Sequence, residues 1–435
     1  MKAKIFIETY GCQMNVSDTE LITSILQKAS YQIVDCLQTA DIVLLNTCTV
    51  RDNADRKELN KVQKIKYDYP EMIVGILGCM ASGKKEELLE KKYKVDLVVG
   101  PDKYRELPQI INTVIDKEER AGSFSLDEFE TYADIEPSRA SGYRAWVPIM
   151  RGCNNFCSYC IVPYVRGRER SQDHKSIITE IEKLVEQGYK EVNLLGQNVN
   201  SYNDGNLDFV KLLEKISNIQ GLLRIRFISP HPKDLSLDLI HLMANRENIC
   251  KYLHLPLQAG SSRILKLMNR TYTKEQYLEL VQNIKTIIPK IVLTTDIIIG
   301  FSTETAADYQ DTIDVMNQVQ FSSAYIFKYS ERSGTQAARE YKDDVPEQEK
   351  TKRIVNLNKI QNDISLKNNK SFVGEVQEII VEQKGTKKNE KEYQGRNDAN
   401  KIVIFSGNSL QEGDLVKVKI NSATVNVLKG VITNY

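Results

Sequence analysis

Three thiols stand within eight residues of the stretch MRGCNNFCSYCIVPYVRGRER: Cys153, Cys157 and Cys160. A strand-like run, residues 144–150, leads into them and a helical pattern follows, so the site is predicted on a loop at the end of a strand. Thiolates at this spacing wrap one corner of an iron-sulfur cube. A cube of four irons needs four ligands, so one iron keeps an open position. Two other uses of cysteine compete. Zinc sites usually take four ligands in two pairs, and no second pair is near. A disulfide needs an oxidising compartment, whereas the N-terminal MKAKIFIETYGC has no apolar signal region. The spacing by itself implies a metal site and nothing narrower.

Three further cysteines share a context. The runs KIFIETYG, ADIVLLNT and MIVGILG read as strands that end at Cys12, Cys48 and Cys79, and DLVVG reads as a fourth strand. Helical patterns separate them over residues 17–29, 56–69, 84–92 and 107–115, the first with Ser17 as N-cap and Glu20 three residues on. This alternation predicts a parallel sheet with helices on both faces. Ligands collect at the C-terminal edge of such sheets. The cysteines sit there in polar, small-residue turns (GCQMN, NTCTV, GCMAS), so a second three-thiol site is expected. Three unrelated core cysteines are the alternative. Cys36 and Cys250 lack such turns and read as structural.

The elements that position these residues follow from the rest of the chain. Its 435 residues suit two to four domains. A net charge of +1 excludes recognition of a polyanion by bulk charge. No apolar run approaches the ~18 residues of a membrane span, and a cytoplasmic protein is expected. Residues 1–118 form the first unit, and the polar stretch 119–142 reads as a linker. Over 143–369 the alternation resumes, with strands at 146–150, 191–196, 223–229, 252–257, 291–299 and 324–329. Six strand-helix units predict a partial (β/α)6 barrel with its site at the C-terminal strand ends. Those ends carry Gln197 and Asn198, then His254, Gln258 and Ser261, then Asp296 and Glu304; ordinary turn chemistry explains such residues too. His231 and His241 read as surface or capping residues. Residues 346–369 read as a connecting helix. Residues 370–435 read as five short strands in a small oligonucleotide-binding-like β-barrel. Its KGTKKNEK hairpin and GRNDANK turn offer Lys387, Lys388, Arg396 and Lys401 to phosphates, although a solvated hairpin also explains them.

Together, TYGCQMN, NTCTVRDNA, LGCMA, RGCNNFCSYCIVPYVRGRERS, HLPLQAGS, DIIIGF and FKYSERSGT resemble one family over nearly the full chain: the methylthiotransferases, radical-SAM enzymes with a C-terminal TRAM domain. The resemblance implies two 4Fe-4S clusters, an auxiliary one on Cys12, Cys48 and Cys79 and a radical-generating one on Cys153, Cys157 and Cys160. It implies S-adenosyl-L-methionine both as methyl donor and as radical source, and the strand-end residues Gln197, Asn198, His254, Gln258, Ser261, Asp296 and Glu304 are the side chains offered to hold it. It also implies sulfide or polysulfide as sulfur source, an electron donor such as flavodoxin or ferredoxin, and a monomer without membrane contact. TYGCQMN with VPYVRGRE is similar to the branch that methylthiolates C2 of N6-isopentenyladenosine in the tRNA anticodon stem-loop, so Arg166, Arg168 and Arg170 are expected on RNA. Relatives acting on threonylcarbamoyl-adenosine tend to begin GCKVN, and those acting on a ribosomal-protein aspartate GCPKN. A non-enzymatic iron-sulfur RNA-binding protein is the reading from another class. The chain departs from the family pattern at Gln172, at Ser302 and Thr303, and at Ser333, none of them a cluster ligand.

Overall fold

The structure, a computed structural model, describes residues 3–49, 52–140, 142–385 and 392–433. Lys387 and Lys388 lie outside the described residues. The first unit runs β1 (Lys4–Thr9), α1 (Gln13–Lys28), β2 (Gln32–Ile33), β3 (Ile42–Thr47), α2 (Asp52–Asp68), β4 (Ile73–Gly78), α3 (Cys79–Lys84), β5 (Leu97–Val99), α4 (Leu107–Lys117) and β6 (Ala121–Ser123). Its sheet is parallel throughout, in the order β2-β1-β3-β4-β5-β6. All six residues of β3 are buried because helices cover both faces. Ile22 and Leu26 of α1 and Ile111 of α4 pack on one side, Val62 and Ile65 of α2 on the other.

Three local predictions change. Helix α1 begins at Gln13, so Cys12 rather than Ser17 occupies its N-cap position, and Ser17 is buried within it. Gly11, at φ +107°, turns the chain early enough for Met14 to join the apolar stripe. The helix expected over 84–92 is instead α3, which starts at Cys79 and stops where Lys85 takes φ +51°, followed by single 3-10 turns. The polar stretch expected as a linker supplies β6, paired with β5. It also buries Tyr132, whose ring lies 4.9 Å from the Arg151 guanidinium.

The second unit comprises β7 (Arg144–Pro148), β8 (Met150–Arg151), α5 (Val162–Arg166), β9 (Arg170–Ser171), α6 (His174–Glu186), β10 (Glu191–Leu195), α7 (Phe209–Ser217), β11 (Arg224–Phe227), α8 (Leu237–Asn245), β12 (Tyr252–His254), α9 (Ser262–Leu267), α10 (Lys274–Ile287), β13 (Val292–Ile299), α11 (Ala306–Val319), β14 (Ser323–Lys328), α12 (Gln336–Glu340) and α13 (Glu347–Lys370). Two parallel triplets, β11-β10-β7 and β12-β13-β14, are joined by a parallel bridge between Ile225 and Ile249. The six strands therefore form one open barrel wall around a continuous apolar core. Reciprocal caps at Thr273 and Thr305 start α10 and α11, the helices that cover β13.

The third unit closes β15 (Val376–Lys384), β16 (Glu392–Arg396), β17 (Ile402–Ser406), β18 (Leu415–Ala423) and β19 (Leu428–Ile432) into a barrel in the order β15-β16-β17-β19-β18. It docks at the N-terminal ends of β7, β10 and β11. Arg224 donates to the carbonyls of Arg396 (2.7 Å) and Glu378 (2.8 Å), Arg226 to those of Asn397 and Asp398 (2.8 Å each), and Arg144 pairs with Glu382 at 2.7 Å. The GRNDANK turn, expected to face RNA, thus plugs the lower rim of the open barrel. Arg396 is held by Glu382 at 2.9 Å, and Lys401 is half-buried with its ammonium pKa pushed down to about 8 by burial. No helix among the described residues is long and apolar enough to cross a membrane.

Candidate active site

The loop between β8 and α5 carries Cys153, Cys157 and Cys160 at the C-terminal end of β7, on the rim opposite the small barrel. Its entry is built from backbone. Gly152 takes φ +80°, and a Cβ there would lie 1.9 Å from the carbonyl oxygen of Arg168. The Gly152 N–H donates to Gln197 Oε1 at 2.5 Å, and the Cys153 N–H to the Gly167 carbonyl at 3.1 Å. On the far side, Ser158 bonds the carbonyls of Leu267 and Met268 at the end of α9. Burial raises the Cys153 pKa to about 11; burial and the neighbouring Cys157 and Cys153 raise that of Cys160 to about 12. The buried Arg270 donates to Cys157 Sγ at 3.4 Å.

Cys12, Cys48 and Cys79 follow β1, β3 and β4, three neighbouring strands of the first sheet. Sequence separation vanishes at their common edge. A Cβ on Gly11 would stand 2.5 Å from Cys48 Cβ and 3.4 Å from its Sγ, so glycine beside Cys12 is what lets Cys48 approach. Cys48 and Cys79 are buried and Cys12 is exposed. Cys12 reaches Asn15 Oδ1 at 3.7 Å, and the same oxygen accepts from Arg166 at 3.0 Å. Arg166 Nε donates to Cys79 Sγ at 3.1 Å and its Nη2 to Asp18 at 2.8 Å, while Arg151 pairs with Asp18 at 2.9 Å. Burial opposes ionisation of Asp18, but the two guanidiniums hold its carboxyl below the ordinary carboxylate range. Burial pushes the Cys79 thiol up, against the pull of Arg166.

Both triads fit multi-iron chemistry better than a single ion. Among the described residues, the one group of three such ligand atoms within 4.8 Å of one another is Asp173, His174 and Asp204. Neither cysteine triad is drawn to the spacing of one shared ion, and thiolates on separate corners of a cube stand farther apart. The radical-loop thiols also penalise one another's ionisation, with Arg270 on Cys157 and Lys233 opposing the penalty, and a cationic cluster core would meet the remaining charge deficit.

The expected ligand-binding residues divide. His254 sits with Nδ1 3.0 Å from Thr294 Oγ1 and Nε2 3.3 Å from Asp296, and Tyr325 packs edge-on against it, so His254 and Asp296 share the barrel interior. Gln258 takes φ +73°, with its N–H bonded to the Asp296 carbonyl at 2.9 Å. Three others have protein partners. Asn198 donates to Asp234 at 2.9 Å, Ser261 to Asp308 at 2.6 Å, and Glu304 accepts from Arg353 at 2.7 Å. The arginines divide too. Arg168 is exposed over the Phe156 ring at 4.1 Å, whereas Arg166 and Arg170 are buried, the latter on Asp102 at 2.9 Å. His231 is buried but does cap, accepting from the Lys233 N–H. Sequence reasoning missed Asp18, Arg151 and Arg270. Asp18 had a signal: it falls on the same helical face as Met14, Leu21 and Ile25.

An open parallel barrel with three cysteines after its first strand defines a radical-SAM class of fold. The Radical SAM superfamily profile matches residues 147–316, with the Uncharacterized protein family UPF0004 over 4–100 and the TRAM domain over 370–433. The chain is 46% identical over 437 residues to the tRNA-2-methylthio-N(6)-dimethylallyladenosine synthase of Bacteroides fragilis strain YCH46, covering 98% of this chain and 95% of that one. It is 45% identical over 434 residues to that of Chloroherpeton thalassium, covering 99% and 96%. The chain belongs to the tRNA-2-methylthio-N(6)-dimethylallyladenosine synthase family. The fold also matches the radical S-adenosylmethionine methyltransferase TsrM of Kitasatospora setae, solved with cobalamin and a [4Fe-4S] cluster, at TM-score 0.56 and 12% identity over 78% of this chain and 77% of that one.

Proposed function

We propose that this protein transfers a methylthio group to C2 of N6-isopentenyladenosine next to the anticodon of tRNA. One observation carries the two-site reading: two thiol triads, each at the C-terminal edge of its own parallel sheet, are joined by α5, which leaves the radical loop and ends at Arg166 on Cys79. In this reading Cys153, Cys157 and Cys160 hold one 4Fe-4S cluster, and Cys12, Cys48 and Cys79 a second. When bound, these groups supply the electron that opens the sulfonium of S-adenosylmethionine and the sulfur that, once methylated, is passed to adenine. The chain does the rest. Gln197 fixes the loop entry, and His254, Gln258 and Asp296 offer polar atoms in the barrel interior to S-adenosylmethionine. Arg168 over Phe156 is an exposed cation on an aromatic face, suited to a splayed base beside the target. The small barrel contributes RNA contacts through lysines such as Lys384 rather than through its docked GRNDANK turn. Sulfide or polysulfide as the sulfur source, a flavodoxin- or ferredoxin-like donor, and a cytoplasmic monomer complete the reading.

The test is mass spectrometry of nucleosides after anaerobic reaction of reconstituted, reduced protein with S-adenosylmethionine, sulfide and anticodon stem-loops. A methylthio product on the isopentenyladenosine loop alone is expected. Product only on a threonylcarbamoyl-adenosine loop overturns the substrate. No 5'-deoxyadenosine at all overturns the enzyme reading in favour of a non-catalytic RNA-binding protein.

A further inference from the structure

The two sites share a guanidinium. Arg166 belongs to the radical-loop helix α5, yet its side chain is 3% exposed and spends its donors in the other unit, on Cys79 Sγ, Asn15 and Asp18. Asp18 is 0% exposed and also meets Arg151, itself 3% exposed. Two guanidiniums thus face one carboxylate, leaving one surplus positive charge sealed from solvent beside Cys79. Arg166 Nη1 and the Nε and Nη1 of Arg151 are buried with no partner among the described residues. Buried donors left unpaired cost about 1–3 kcal/mol each, more for charged groups, so such a cradle is built for an anion that the protein itself does not supply. The radical triad has its own arginine, Arg270 on Cys157, whose Nη2 is spent on the Pro256 carbonyl and Nε on Tyr272.

We infer that Arg166 is a positioning residue of the Cys12, Cys48 and Cys79 site: it fixes Cys79 and sets a surplus positive charge against the anionic sulfur of a cluster there, raising that cluster's reduction potential, given the ligand role proposed for those cysteines. Reduction adds one electron to a centre already negative in its thiolates and sulfides. A guanidinium in contact with Cys79 favours the reduced state, and Asp18 opposes it. Because Arg166 is six residues past Cys160, the same contact ties the placement of one triad to that of the other.

The experiment uses full-length protein with Cys153, Cys157 and Cys160 changed to Ala, reconstituted with iron and sulfide, so that only the first triad is available to load. Each EPR-monitored titration moves one electron to the cluster from the sulfur dioxide radical anion that dithionite releases, which is oxidised to sulfite, and no bond at the cluster is made or broken. Arg166→Gln is expected to shift the reduced-to-oxidised equilibrium about tenfold toward the oxidised state, about 59 mV lower for a one-electron couple. Arg166→Lys restores most of the potential, and Asp18→Asn shifts it the opposite way. General damage to the interface does not produce opposite shifts from two neighbouring substitutions. A loaded parent whose potential is unmoved in all three variants overturns the inference alone. If Arg166→Gln fails to load, Asp18→Asn decides: an unmoved potential overturns it. A parent with Arg166 intact that binds no cluster overturns the ligand assignment and the inference with it.

Discussion

Replacing Gly152 by Ala separates the geometry of the radical loop from its chemistry. The new Cβ would lie 1.9 Å from the Arg168 carbonyl oxygen and 2.4 Å from its carbonyl carbon, whereas real Cβ contacts essentially never fall below 3.0 Å. The obstacle is backbone, so no side-chain rotation relieves it, and the strand pair must part by about 1 Å at the entry to Cys153. A misplacement of ~1 Å at a reacting centre costs on the order of 100-fold in rate. Gly188→Ala is the control. Gly188 has φ +95°, a conformation that favours glycine, and no atom lies within 4 Å of its added Cβ. It is expected to lose ~1–3 kcal/mol of stability while keeping most of its rate. The assay is 5'-deoxyadenosine released per loaded protein under dithionite, with iron content and thermal midpoint read in parallel. Gly152→Ala with full iron and wild-type release would refute the claim that this close approach positions the cysteines.

Cys12→Ala is expected to release 5'-deoxyadenosine without methylthio product in the nucleoside assay, since it removes a thiol from one triad alone. Arg353→Met strands Glu304, whose almost fully buried carboxylate also accepts from the Gly300 N–H, and is expected to cost ~3–5 kcal/mol in a urea titration; adding Glu304→Leu recovers much of the loss. Glu20 of α1 shares Arg139 with Glu180 of α6, and burial, opposed by Arg139 and aided by Glu180, raises its pKa from 4.5 to about 7. Between those values the native state binds more protons than the unfolded chain, so stability falls as pH rises from 4.5 to 7; Glu20→Gln is expected to flatten that slope in urea midpoints. Lys401 has the opposite sign: burial lowers its pKa from 10.5 to about 8, the unfolded chain binds more protons between the two, and stability rises with pH across that window. Lys401→Met is expected to raise the thermal midpoint at pH 7.

Periodicity carried the architecture because alternation of strand and helix is a local property of the chain. The six barrel strands, the four main strands of the first sheet and the five of the small barrel were all read as strands, most of them from apolar runs and EYQGR from its place between two of them. Boundaries shifted where a glycine or a positive φ intervened, as at Gly11 and Lys85. The short edge strands β2 and β6 were missed because two or three residues show no period. The VRGRER arginines read as one basic patch in sequence. In the fold, Arg168 faces out while Arg166 and Arg170 turn inward to carboxylates of the first unit.

The sequence by itself determined the radical triad, because three ligands within eight residues share one loop and their spacing is their geometry. It determined the second triad only as three like turns at three strand ends. Parallel pairing of β1, β3 and β4 brought those ends together, since neighbouring strands place residues far apart in sequence at one edge. Only the tertiary structure decided what surrounds them. Arg166 meets Asp18 across 148 residues, and a charge is sealed between two units only because burial makes a partner obligatory. No local pattern records that contact, since the cost of leaving either charge unpaired arises when water is excluded from both.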